Sequence, residues 1–485
     1  MGSVSNSRVF SNLFWKLFER FGAQGVTFVV SIILARLLDP VAYGTVAIVT
    51  VFTSILQVFL DSGFSSALIQ KKDCDDLDFS TVFYFQLGVG TGLYLLMFFL
   101  APVIAEFYQM EELVSLIRVM SLSLLISSVK GVQSAYVSRH LMFKKFFFST
   151  SGGTIIAACV GIIMAFKGLG AWALVAQSLV NATVGTMILW FTVPWRPKLI
   201  FSKHRLKTLY SFGWKILASS FVDVVYNNLR SLIIGKKYTS ESLAFYNKGK
   251  VFPNMVVSNI NNSIDAVLLP VMSDVQDNLE NVRRMTRRAI KISTYIMFPL
   301  MMGLSVCAVP LIRILLTDKW IPCVLFLRIF CFTYAFYPIH TANLNAIKAM
   351  GRSDIFLKLE IIKKIVGFAA IFMTMFISVE AMAYSLIVTS VLSQMINAWP
   401  NKKLLNYSYI EQLEDIFPGI FLSCIMGACI YPISLLKLPE LLILVMQILL
   451  GVCIYIMGSK VLKIDSFEYL WSIVKQFLNK RMKRK

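Results

Sequence analysis

The chain has 485 residues, of which 57% are hydrophobic and 15% charged, with a mean hydropathy of +0.71. Soluble domains carry about 25% charged residues, so this balance excludes a water-soluble globular protein. A net charge of +21 taken alone suggests nucleic acid, and only its placement along the chain can decide against that partner.

The N-terminal MGSVSNSRVFSN lacks the charged stretch, short apolar core and small-residue cleavage site of a signal peptide, so no cleaved leader is expected. Apolar stretches of about 20 residues follow, each long enough to cross a hydrocarbon core about 30 Å thick. They are too continuously apolar for barrel strands, which alternate, so the spans are helices. About fourteen are predicted. The first six cover 12–37, 43–66, 80–101, 113–135, 148–166 and 171–193. Six more cover 209–234, 243–268, 289–309, 323–348, 356–377 and 381–399, and two close the set at 415–435 and 440–462.

A polar group inside a span is costly, about 2.5–3.5 kcal/mol for a central Arg, Lys or Asp, so its position carries functional information. In the first span Arg20, Gln24, Thr27 and Ser31 recur at helical spacing and share a face. Between the second and third spans Asp73, Asp75, Asp76 and Asp78 contain an Asp-x-Asp pattern. With no adjoining nucleotide-binding fold, it reads as a solvated acidic turn. The seventh span carries Lys215 and then Asp223, Asn227 and Arg230 on one face. The eighth carries Lys248 and a stripe of Lys250, Asn254, Asn261 and Asp265, interrupted by Pro253. Proline frees a carbonyl that something polar must satisfy, which suits a helix lining a wet cavity. Such stripes also arise where polar groups merely join helices. Three of them favour a shared aqueous cavity, and its basic groups outnumber Asp223 and Asp265. A cationic cavity suits an anionic passenger, and arginine suits phosphate because its fork makes paired hydrogen bonds.

The dense basic clusters, Arg139/Lys144/Lys145, Arg196 to Lys207, Arg283 to Lys291 and the tail KRMKRK, fall on one side of this topology. That is the positive-inside pattern, so both termini are expected in the cytoplasm. The charge then needs no nucleic acid, and the tail and the Arg283/Arg284/Arg287/Arg288 cluster are expected against anionic lipid. The eight cysteines show no CxxC pair, and the three histidines make no HExxH. No disulfide, metal site or cofactor is expected. A weak internal repeat pairs Ser80-Thr81 with Ser293-Thr294 and Tyr43 with Tyr246. It relates the first six spans to the next six in the same orientation, with the site between them. The resulting division is 1–205, 206–400, two further spans over 401–465 and a basic tail over 466–485.

The stretches LARLLDPVAYGTVA, DSGFSSALIQKKD, STVFYFQLGVG, APVIAEFY and GLGAWALVAQ resemble bacterial lipid-linked oligosaccharide flippases. So do PWRPKLIFS, FGWKILAS, IIGKKYTSESLAFYNKGKVFP and LTDKW. These belong to the polysaccharide-export branch of the multidrug/oligosaccharidyl-lipid/polysaccharide superfamily, near its colanic-acid-exporter-like members. The resemblance implies an all-α membrane protein: two six-helix bundles in a pseudo-twofold V, plus two C-terminal helices. It implies a non-enzymatic flippase in the bacterial inner membrane. The passenger would be a polyprenyl-pyrophosphate-linked oligosaccharide for surface polysaccharide, usually moved at the expense of an ion gradient. Polysaccharide polymerase and assembly proteins are the expected partners. Arg20 matches a basic first-helix position of such flippases. The segment NNLRSLIIGK resembles a pattern that often reads Asn-Leu-Asp, with Arg230 in place of the acid. The expected substrate-binding groups are therefore Arg20, Gln24, Lys215, Asn227, Arg230, Lys248, Lys250 and Asn254, and the ion-coupling groups Asp223 and Asp265. The rival readings are a drug exporter, which should show an acidic cavity, a membrane sugar-assembly enzyme, and a scaffold for such enzymes.

Overall fold

The computed structural model describes residues 22, 24–61 and 63–482. The start of the expected first span, Arg20 included, and the last three residues of the basic tail lie outside the described residues. Every regular element among the described residues is helical. The helices are α1 (Gln24–Leu37), α2 (Pro40–Asp61), α3 (Phe64–Gln70), α4 (Asp76–Tyr108), α5 (Glu112–Met120) and α6 (Leu122–Arg139). Next come α7 (Phe143–Phe166), α8 (Ala171–Thr192), α9 (Lys203–Lys237), α10 (Ser240–Asp274), α11 (Leu279–Val306) and α12 (Ala308–Leu316). The series ends with α13 (Cys323–Ala335), α14 (Tyr337–Ala349), α15 (Ser353–Thr374), α16 (Val379–Leu404), α17 (Tyr409–Ile430), α18 (Glu440–Val461) and α19 (Asp465–Met482).

Eleven helices among the described residues, counting α2–α3, α5–α6, α13–α14 and α17 with its short extension as single spans, are long and apolar enough to cross a membrane. Helix α1 is a shorter apolar helix. The expected spans over 209–234 and 356–377 are also continuous helices, α9 and α15. They fall outside the eleven because Asp223, Asn227, Asn228 and Arg230 interrupt the first, and Lys358, Glu360, Lys363 and Lys364 the second.

Helix starts follow the local sequence. Asp75 caps α4 by accepting from the Asp78 backbone N–H at 3.0 Å, while Asp78 accepts from the Asp75 backbone N–H at 3.2 Å. Ser408 and Glu411 make the same reciprocal cap on α17. Each such cap satisfies amide groups that the first helical turn leaves without partners.

The chain divides into two compact units with the boundary at Ala244/Phe245, so α9 packs in the first unit. Two glycines show why. A Cβ on Gly44 of α2 would lie 1.7 Å from the Ser240 carbonyl oxygen, and one on Gly63 would lie 2.5 Å from the Gly213 carbonyl oxygen. Only a residue without a side chain admits these approaches, which hold the α9 region against α2 at two levels. Gly63 also has φ of +92°, a conformation glycine adopts without strain. Helices α7 and α8 pack closely through Gly153, Ala157 and Gly161, the small-residue contact that lipid-embedded helices favour. In the second unit Tyr295, Leu422, Met426, Tyr455 and Ile464 cluster where α11, α17 and α18 meet.

Candidate functional site

In the first unit the candidate residues lie on α1 and α9. Gln24 is half-buried on α1, while Arg20 falls outside the described residues. On α9, Lys215 and Asn227 are exposed, Asp223 is half-buried and Arg230 is 8% exposed. The face inferred from spacing is therefore graded in burial, with its arginine deepest. Tyr108 at the end of α4 donates to the Leu232 carbonyl at 3.3 Å, fixing the α9 backbone beside Arg230.

In the second unit the α10 residues separate. Lys248 is 7% exposed, its ammonium 5.3 Å from the centre of the Trp320 ring, so indole and not open solvent is its near neighbour. Lys250 is half-buried and Asn254 exposed. Lower on α10, Asn261 donates to the Thr341 hydroxyl at 2.6 Å and Asp265 accepts from the Asn345 amide at 2.7 Å. Residues 261 and 265 thus meet 341 and 345 at the same step of four, one helical face against another. Helix α10 runs unbroken through Pro253 and Pro270.

Sequence reasoning missed the partners on α14 and beyond. Asn343 donates to Gln412 at 2.8 Å and accepts from Gln412 at 3.1 Å and from Asn401 at 2.6 Å, all three being buried. His340 lies 3.0 Å from the Asn397 amide. The run HTANLN inside an apolar stretch carried that signal, under the same rule that picked the α9 and α10 stripes.

The basic cluster of α11 is largely engaged within the protein. Arg287 makes a forked pair with Asp415 at 2.6 and 2.8 Å, Arg283 reaches Glu411 at 3.4 Å, and Arg288 lies 3.8 Å over the Tyr469 ring. The acidic turn is engaged too: Lys71 pairs with Asp78 at 2.5 Å, Lys198 with Asp76 at 2.6 Å and Arg205 with Asp75 at 3.4 Å. The hydrogen bond from the Asp78 backbone N–H, with Arg205 nearby, holds the Asp75 carboxyl below its ordinary range. Burial and the Asp78 charge push the Cys74 thiol up to about 11. These carboxylates serve as helix caps and ion-pair partners.

The fold is similar to that of solved membrane transporters. An inward-closed lipid II flippase MurJ aligns with a TM-score of 0.74 at 14% identity, over 93% of this chain and 99% of that one. An inward-facing multidrug resistance MATE family transporter of the MOP superfamily aligns with a TM-score of 0.63 at 14% identity, over 78% of this chain and 94% of that one. Residues 33–325 match the family described as polysaccharide biosynthesis protein, and the chain belongs to that family. Among curated proteins, the teichuronic acid biosynthesis protein TuaB of Bacillus subtilis is 25% identical over 79% of this chain and 80% of its own length. The lipopolysaccharide biosynthesis protein WzxC of Escherichia coli is 23% identical over 72% of this chain and 71% of its own. The chain is a multi-pass membrane protein of polysaccharide biosynthesis.

Proposed function

We propose that this protein flips a polyprenyl-pyrophosphate-linked oligosaccharide from the cytoplasmic to the outer leaflet of the bacterial inner membrane by alternating access. Family membership supports the polysaccharide side of this reading. The observation that carries the anionic passenger is Arg230, a guanidinium 8% exposed within the long helix α9. A pyrophosphate cannot cross a low-dielectric layer without something to replace its water. In the first unit the cations of this reading are Arg230 and the exposed Lys215, with Arg20 named from the sequence alone, and they would replace that hydration without recognising any one sugar. Lys248 and Lys250 are the basic groups of the reading in the second unit. Gln24, Asn227 and Asn254 add neutral hydrogen-bonding groups, and Asp223 and Asp265 are the acids assigned to ion coupling. Polymerase and assembly proteins would receive the product. The fold is shared with drug transporters, and the net basic count of these groups favours the anionic passenger over a cationic drug.

The test is transport of a fluorescent polyprenyl-pyrophosphate sugar in proteoliposomes. Arg230→Ala should abolish it in folded protein, and Arg230→Lys should retain part, because a point charge remains while paired hydrogen bonds are lost. Wild-type transport by the alanine variant would overturn the reading.

A further inference from the structure

In the second unit a cavity of about 140 Å³ lies where α11, α17 and the turn between α18 and α19 come together. Lys291, Asp415, Lys463 and Asp465 are its charged lining, and Gly419 contributes no side chain to fill it. No charged residue follows Lys291 in α11 or Asp415 in α17, and none lies between Glu440 and Lys460 in α18. All three helices therefore pass from apolar to charged at this cavity, which is the level of lipid head groups. Val461 and Leu462 of the α18 end and Phe417 of α17 are exposed there. The turn after α18 is a Schellman motif. The Ile464 N–H donates to the Ser459 carbonyl at 3.1 Å and the Lys463 N–H to the Lys460 carbonyl at 3.4 Å, with Lys463 at φ +47°. Glycine is the usual residue at that left-handed position, because it has no Cβ to strain. Here a lysine holds it.

Two of the four charges are spent inside the protein. The Asp415 carboxylate is 5% exposed and is held by the Arg287 fork, by the Tyr407 hydroxyl at 2.8 Å and by Lys291 at 3.3 Å. Lys291 also reaches Asp465 at 3.3 Å, but that carboxylate is 82% exposed and keeps accepting capacity. Lys463 is exposed and pairs with no acid among the described residues. The N-terminus of α19, with its partial positive charge, begins at the same turn. What the cavity offers is thus one cation and one anion, two residues apart, at head-group depth. We propose that it binds the head group of a zwitterionic aminophospholipid. The phosphate lies against Lys463 and the start of α19, the primary ammonium against Asp465, and the acyl chains along the exposed apolar flank that Phe417, Val461 and Leu462 begin. An anionic head group would set its charge beside Asp465 with no ammonium to offset it. A choline head group would bring the positive charge without an N–H to donate. The site rests on the chain's being a membrane protein and not on what it transports.

The experiment titrates the delipidated full chain in detergent with phosphatidylethanolamine, phosphatidylcholine and phosphatidylglycerol of identical acyl chains. Binding is read by native mass spectrometry and by the unfolding midpoint. Phosphatidylethanolamine should bind tightest, roughly tenfold over phosphatidylcholine, the worth of one charge-assisted hydrogen bond. Asp465→Asn should bring those two lipids level. Lys463→Gly should weaken phosphatidylethanolamine by a similar factor, while the lipid-free midpoint holds or rises because glycine suits the left-handed turn. Lys463→Arg should keep the binding, since it keeps the charge. A purely structural role for Lys463 predicts the opposite pattern, with lipid binding in Lys463→Gly unchanged. Phosphatidylglycerol binding as tightly as phosphatidylethanolamine, a preference that survives Asp465→Asn, or wild-type binding in Lys463→Gly overturns the proposal. An equal response to soluble glycerophosphoethanolamine would make a water-borne zwitterion the ligand and overturn the lipid assignment.

Discussion

Asn343 shows what a single polar residue does in the second unit. Its amide bonds both Gln412 and Asn401, so three helices, α14, α16 and α17, meet at one buried side chain. Asn343→Leu would leave two amide partners buried with fewer bonds, at about 1–3 kcal/mol each by the general penalty and less where the membrane lets them find other partners. The expected outcome is a lower unfolding midpoint. Asn343→Leu combined with Gln412→Leu should lose less than the sum of the single changes in a double-mutant cycle. Strict additivity would show that the amides act independently. The residues of α9 and α10 were legible because charged groups stand out against apolar surroundings at helical spacing. Their partners were not, because Thr341 and Asn345 lie 80 residues from Asn261 and Asp265 and only packing brings them together.

At the scale of elements, the two glycine approaches make a sharper case. Gly44→Ala would place a Cβ 1.7 Å from a backbone oxygen that no rotamer can clear, so α2 and the α9–α10 connection must separate. The expected cost is about 1–3 kcal/mol, read as a lower unfolding midpoint, whereas Gly88→Ala, which has open space, should be neutral or better. Equal midpoints for the two variants would remove the close approach as a source of α9 placement. Such contacts explain why the packing of α9 in the first unit was not legible. The helical character of the chain was legible throughout, since continuous apolar length needs no tertiary information.

For the whole molecule, the placement of basic residues gives a topology that can be checked directly. Reporters fused after Arg139, Arg205 and Lys485 should read as cytoplasmic, and reporters after Glu111 and Thr239 as periplasmic. A periplasmic signal after Arg205 would require a different number of crossings between α6 and α9. Arg139 has a second part in the assembly. Its guanidinium donates to the carbonyls of Leu68, Lys71 and Lys72 at 2.8, 2.6 and 2.7 Å, closing the end of α3. Helix α3 has seven residues, too few to persist alone. The arginine that closes it is made about 70 residues later, which at about 5–20 residues per second is a wait of several seconds. During that interval the nascent chain holds a half-built span whose last carbonyls have only water or the insertion machinery to bond. The acidic turn that follows, rich in groups that hydrate well, keeps that unfinished end at the aqueous side until the sixth helix arrives to close it.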